Sequence, residues 1–306
     1  VSLPLMTART KRRRLIAAVA ALAAIAAAVL VLNSRSTPRA TAEPPATTTT
    51  TSTSTTTTTA PVDPTLTTVA TALGPTVSVL EGPPPGLALD QSETDRAQQV
   101  RAIGPANSPE RPDAEPLPAA DHPIQGRRKT AVGWEYDSPT PWGQPLTFVV
   151  TERHDDWLRV LMPVRPNGVE GWINAADVAL TTHRFRVEIS LGARHLRAFD
   201  ATTMIADTPV VVGRDATPTP TGRFYVTDYE EKRAGSAYGP WILPISAYSQ
   251  ALDWFDGGVP VIAMHGTNRP DLLGSAASNG CIRMPDEVIQ RLRDTLPLGT
   301  PVLISG

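Results

Sequence analysis

Apolar and polar positions divide the 306-residue chain into stretches of different character. An uncharged run of Ala, Val, Leu and Ile occupies 15–32, directly after a basic cluster, Arg9 and Lys11-Arg12-Arg13-Arg14. Eighteen helical residues span roughly 27 Å, close to the hydrocarbon thickness of a bilayer. The pattern predicts a transmembrane signal-anchor at 15–32, with 1–14 as a cytoplasmic basic tail and the remainder outside. A cleaved signal peptide is the alternative, because Ala-x-Ala triplets recur, although such peptides have shorter apolar cores of about 7–15 residues. Residues 33–65 carry no periodicity. Thr47 to Thr59 are only threonine and serine, between Pro44-Pro45 and Pro61, and a disordered stalk is expected there.

Beyond the stalk the period is mostly two. Val77 and Val79 alternate in "TVSVL", and "PLTFVVTE", "DWLRVLMPV" and "GWINAADVAL" are short strand-like runs separated by turn residues such as Pro166, Asn167 and Gly168. Proline and charge crowd the interval 82–129, which is expected to be a disordered insertion within one module, 66–181. Its short strands, tight turns and closing Gly-Trp-Ile resemble a bacterial SH3-like domain. From 183 to 306, "FRVEISL", "TPVVVG", "GRFYVTDY", "VPVIAM" and "TPVLI" are further strands. The period changes once, in "PDEVIQRLRDTL". Pro285 stands at the expected first helical position, Asp286 and Glu287 lie in the first turn, and Val288, Ile289 and Leu292 share a face. The expected fold class is mainly β, with one short helix after the cysteine.

Composition removes several functions. A net charge of −2 gives no nucleic-acid footprint outside the N-terminal cluster. The five histidines show no metal-ligand spacing, so neither metal nor other cofactor is expected. Cys281 is the only cysteine. In an exported protein an unpaired cysteine is a free thiol, half of an intermolecular bridge, or a small buried residue.

His265 lies sixteen positions before Cys281, at the end of an apolar strand and ahead of Gly266. A thiol attacks carbonyls as the thiolate, and a histidine within reach can take its proton. Asn279-Gly280 predicts a tight turn whose backbone N–H groups could hold an oxyanion, and the helix start near Pro285 is expected to favour the thiolate. From residue types alone the pair is either an acyl-transfer dyad or a buried thiol with an unrelated histidine.

The surrounding pattern is more specific. "HGT" at 265–267 and "SNGCIRM" at 278–284 resemble the signature of the L,D-transpeptidases, bacterial envelope enzymes with a YkuD-type catalytic domain. "TPTPTGRFYV" and "GTPVLI" extend the resemblance across 183–306. It implies Cys281 as nucleophile, His265 as general base and acid, the Gly266 carbonyl orienting His265, and Gly280 with Asn279 at the oxyanion site. Arg283, Ser278, Thr267, Tyr238 and Trp241 are then expected on the substrate side, although Arg283 reads equally as a structural salt bridge. The family usually has histidine where this chain has Asn279, an expected source of altered rate or preference.

The resemblance further implies peptidoglycan stem peptides as partners, carbapenem-type inhibitors, and 3→3 cross-linking through a thioester. A carboxypeptidase and a protein-to-wall transferase share the same residues. A non-catalytic wall-binding scaffold is the alternative of a different class, and nothing papain-like surrounds the cysteine.

Overall fold

The computed structural model describes residues 65–87, 126–255 and 258–306. The anchor predicted at 15–32 and all but the last residue of the predicted stalk lie outside the described residues. Among the described residues no helix is long and apolar enough to cross a membrane.

The N-terminal module is one antiparallel sheet of eight strands. In chain order these are β1 (Thr67–Ala72), β2 (Thr76–Leu80), β3 (Arg127–Lys129), β4 (Gly133–Asp137), β5 (Thr147–His154), β6 (Trp157–Leu161), β7 (Glu170–Asn174) and β8 (Val178–His183). Their spatial order is β3-β4-β2-β7-β6-β5-β1-β8. The period-two reading explains which face is buried: Val77 and Val79 enter the core while Thr76 and Ser78 face water. Trp134, Tyr136, Phe148, Leu158 and Ile173 complete that core.

The sequence placed 127–129 in the loose interval, and the structure corrects this: the segment is strand β3, paired with β4. Composition misled because Arg127 behaves as an aromatic partner. Its guanidinium lies 4.9 Å from the Trp134 ring centroid and 5.6 Å from that of Tyr248, and it donates to the Pro163 carbonyl. Arg128 and Lys129 face solvent, where Glu135 and Asp137 accept hydrogen bonds from Arg128 and Glu81 accepts one from Lys129. Residues 88–125 lie outside the described part.

The C-terminal domain contains β9 (Phe185–Ser190), β10 (His195–Asp200), β11 (Thr203–Pro209), β12 (Val212–Gly213), β13 (Gly222–Tyr225), β14 (Glu230–Glu231), β15 (Trp241–Tyr248), β16 (Val261–His265), β17 (Ala276–Ser278), β18 (Ile282–Arg283), α1 (Asp286–Thr295) and β19 (Pro301–Ser305). One sheet runs β11-β10-β9-β19-β13 and a second β14-β15-β16-β18, while β12 pairs with β17. A single core joins the sheets and the helix, which buries the predicted Val288, Ile289 and Leu292. Pro285 caps this helix instead of opening it, so Asp286 is its first residue.

The module and the domain meet at close contacts. The side-chain amide of Asn167 donates to the Tyr248 carbonyl (2.8 Å) and accepts from its N–H (2.9 Å). Gly299, at φ +81°, leaves room for Val69: a Cβ there would stand 2.6 Å from a Val69 methyl.

Candidate active site

Strand β16 is apolar and buried, and its register sets the site. It pairs in parallel with β18 through Met264↔Ile282 and His265↔Arg283. One residue further back, Cys281 falls beside Ala263. Side chains alternate along strands, so Met264 and Ile282 fill the core, and Cys281 and His265 emerge on the opposite, common face. The parallel pair thus brings together two residues that the sequence separates by sixteen positions.

His265 is 3% exposed. Its Nδ1 donates to the Gly266 carbonyl at 2.6 Å, which leaves Nε2 as the lone-pair nitrogen. Tyr238 packs edge-on against the imidazole, with centroids 5.0 Å apart. Burial pushes the histidine down to about 4; the Gly266 carbonyl opposes this and the Arg283 charge adds to it. Burial pushes the Cys281 thiol up, partly offset by the Ala263 N–H and Arg283. Both shifts favour the neutral thiol and the neutral imidazole, whereas the sequence led us to expect the helix start to favour the thiolate.

Gly266 sits in a constriction. A Cβ on it would lie 2.2 Å from Asp286 Oδ1, and the facing Gly239 is as confined, at 2.4 Å from the same oxygen. Asp286 Oδ1 in turn accepts the Thr267 N–H at 2.9 Å. A carboxylate in the first helical turn is favoured there by the helix dipole. It ties the segment after the histidine to the helix after the cysteine.

The turn before Cys281 is braced from within. Ser278 Oγ accepts from Gly280 N–H (3.1 Å) and donates to the Cys281 carbonyl (2.6 Å). Thr217 Oγ1 donates to the Ser278 carbonyl (3.2 Å). Thr219 Oγ1 donates to the Gly280 carbonyl and accepts from Gly213 N–H, both at 2.8 Å. Gly280 holds φ +116°, and a Cβ on it would meet Ile262 at 2.9 Å.

Four of the expected site residues are engaged in internal contacts in this structure. The Gly280 N–H is taken by Ser278 and is not a free oxyanion donor. Among the described residues the N–H groups of Asn279 and Cys281 have no hydrogen-bond partner, and these are the donors available. Ser278, 1% exposed, holds the turn instead of facing substrate. Thr267 is likewise engaged internally, its Oγ1 accepting from Arg269 N–H at 3.0 Å. Trp241 turns to the helix: its indole N–H donates to Gln290 at 2.9 Å, and the Arg293 guanidinium lies 4.6 Å from its ring centroid.

Tyr238 and Arg283 remain at the site. Arg283 has no acidic partner among the described residues, so the salt-bridge reading finds no support there, and its buried Nε–H is unpaired. Sequence reasoning missed Thr217, Thr219, Asp286 and the Ala263 N–H. The repeated threonines of "TPTPTG" were the available signal for the first two.

Residues 184–304 match the family model described as the L,D-transpeptidase catalytic domain, YkuD. The chain is 31% identical over 121 residues to the putative L,D-transpeptidase YkuD of Bacillus licheniformis and, at the same identity and length, to that of Bacillus subtilis. Each match covers 40% of this chain and 66% of the relative, just under two thirds of its length. The putative L,D-transpeptidase YqjB of Bacillus subtilis is 34% identical over 100 residues, 31% of this chain and 57% of that protein. Solved structures include the catalytic domain of the Enterococcus faecium L,D-transpeptidase acylated by ertapenem, 24% identical over 40% of this chain and 96% of that one (TM-score 0.31). An L,D-transpeptidase from Mycobacterium tuberculosis is 13% identical over 59% and 76% of the two chains (TM-score 0.37).

Proposed function

We propose that residues 184–304, a YkuD-type L,D-transpeptidase catalytic domain, transfer peptidoglycan stem peptides through a Cys281 thioester. Cys281 Sγ attacks the carbonyl that links diaminopimelate to the terminal D-alanine of a tetrapeptide stem, and His265 Nε2 takes the thiol proton. The oxyanion is held by the free backbone N–H groups at 279 and 281, each such donor worth a few kcal/mol (about 2.7–4) in the transition state. Collapse breaks the C–N bond, and the imidazolium protonates the departing D-alanine amine. An amine of a second stem then attacks the thioester, and the thiol is restored as a 3→3 cross-link forms. Arg283, in register with His265 and without an acidic partner among the described residues, would supply the cation for a substrate carboxylate.

The observation that carries this reading is the parallel pairing of β16 and β18, which puts a lone-pair Nε2 and a thiol on one face. We place the domain outside the cytoplasmic membrane on the evidence of the basic cluster and the apolar run 15–32. The antiparallel module serves as an SH3-like support that orients the domain along the wall.

Intact-protein mass spectrometry of the full chain with a carbapenem, and separately with a tetrapeptide stem, tests the proposal. A covalent adduct is expected on the native chain and not on Cys281→Ala. Folded protein with a free thiol and no adduct overturns it. Asn279→His acylates at a changed rate if this position tunes the thiol; identical rates would remove Asn279 from the mechanism.

A further inference from the structure

The peptide unit that joins Gly266 to Thr267 is held at both ends. Its carbonyl accepts from His265 Nδ1 at 2.6 Å, and its N–H donates to Asp286 Oδ1 at 2.9 Å. A peptide is planar and rigid, so its two ends turn together. The carboxylate that fixes the N–H therefore fixes the direction of the carbonyl. The preceding unit is fastened from the same side, since the His265 carbonyl accepts from Met284 N–H at 3.0 Å. Both contacts come from the segment that follows the cysteine.

The glycines beside Asp286 are what allow this approach. A Cβ at Gly266 or at Gly239 would stand within 2.4 Å of its Oδ1, so a larger residue at either position would displace the carboxylate. Gly239 follows Tyr238, whose ring packs edge-on against the imidazole. One oxygen thus meets both the peptide that orients His265 and the segment that packs on its ring. The rest of Asp286 is exposed, as is Glu287 beside it in the first helical turn. Either acid suits the helix dipole, but only Asp286 reaches the peptide.

We propose that Asp286 is a positioning residue for His265, acting through the Gly266–Thr267 peptide to keep the proton on Nδ1 and the lone pair on Nε2. In hydrolytic triads a carboxylate accepts from the imidazole directly. Here a peptide unit stands between them. Without the carboxylate the peptide is free to turn, its carbonyl leaves Nδ1, and the proton moves to Nε2, where it blocks uptake of the thiol proton. The catalytic consequence rests on the acyl-transfer reading of the Cys281–His265 pair.

The test combines two measurements on the full chain. Nuclear magnetic resonance of isotopically labelled histidine rings reads the tautomer at neutral pH, with His265→Gln identifying the His265 signals. Stopped-flow acylation by a carbapenem separates maximal rate from half-saturating concentration. The parent is expected as the Nδ1–H tautomer. Asp286→Ala and Asp286→Ser, both too short to reach the peptide, should populate the Nε2–H tautomer. Their maximal acylation rate should fall about tenfold or more at an unchanged half-saturating concentration. Asp286→Asn keeps an oxygen in place and should restore both readouts. Glu287→Ala removes the neighbouring charge of the same turn and should leave both as in the parent. The parent tautomer in folded Asp286→Ala or Asp286→Ser overturns the proposal, as does a rate loss that Asn does not restore or that Glu287→Ala shares. Absence of a Cys281 adduct on the parent would instead sink the acyl-transfer reading, and the ring signals would still decide whether Asp286 holds His265.

Discussion

The side-chain amide of Asn167 closes on the backbone of Tyr248 from both sides, donating to its carbonyl at 2.8 Å and accepting from its N–H at 2.9 Å. A turn of the module thereby acts as an extra strand edge for β15, the neighbour of the histidine strand. Asn167→Ala leaves both backbone groups without that partner. It should cost about 2–3 kcal/mol, at roughly 1 kcal/mol per bond plus the unpaired groups. The check is chemical denaturation: a loss below 0.5 kcal/mol would mean water replaces the clamp, whereas the expected result also makes the interface cleavable by protease before global unfolding.

Thr219 stands between two backbone groups, Gly213 N–H and the Gly280 carbonyl. Thr219→Val keeps the volume and removes both bonds, so the turn carrying Cys281 loses its anchor. Acylation is expected to slow about tenfold or more, with Thr219→Ser restoring most of the rate. Equal rates in all three proteins, measured by stopped-flow with a carbapenem, would show that the turn holds itself.

Two buried groups give opposite pH dependences. His265 is lowered from 6.5 to about 4, so between those values the unfolded chain takes up a proton that the folded one refuses, and stability falls as pH drops from 6.5 toward 4. Asp228 is raised from 3.8 to about 6 by burial, so the folded chain holds the proton first, and stability rises as pH drops through the same interval. Each effect is on the order of 3 kcal/mol at full extent and they largely cancel. Relative to the parent, Asp228→Asn should therefore lose stability on acidification from pH 6.5 to 4.5, and His265→Gln should gain it. Denaturant midpoints across that range decide the point, and parallel curves for all three proteins would refute both assignments.

Gly299 and Val69 face each other where the module meets the domain. Gly299→Ala meets a positive φ and a methyl at 2.6 Å, and should cost about 1–3 kcal/mol. Adding Val69→Ala removes the methyls and should recover part of that loss. What stays unrecovered combines the backbone strain with the cost of truncating the buried Val69. A double mutant no more stable than expected from adding the two single losses would place the strain wholly in the backbone.

The reactive pair was legible in sequence because its chemistry is local: His265 ends an apolar strand, and Cys281 follows a turn dipeptide. Alternation likewise revealed which of Val77, Ser78 and Val79 enter the core. Arg127 was not legible, because a charged residue at the edge of a proline-rich interval becomes a strand residue only when Trp134 and Tyr248 stack on it. The hydroxyls of Thr217 and Thr219 were missed for a related reason. Each closes a hydrogen bond to backbone 61 residues away, and no periodicity encodes such a bond. Ser278 and Thr267 were assigned outward because motif position says which residues recur and not which way they point.

The direction of β18 relative to β16 has one more consequence. Two strands that run the same way cannot be joined by a tight hairpin, so the chain must travel back along their length before the cysteine. In doing so it exposes Asn268, Arg269, Pro270 and Asp271 at the crest of the crossover, while the braces sit at its far foot. The crest is therefore a cassette: its length and chemistry can be rewritten at an entropic cost of only about 0.6 kcal/mol per doubling. Thiol and imidazole keep their alignment, because the register of the strands beneath sets it.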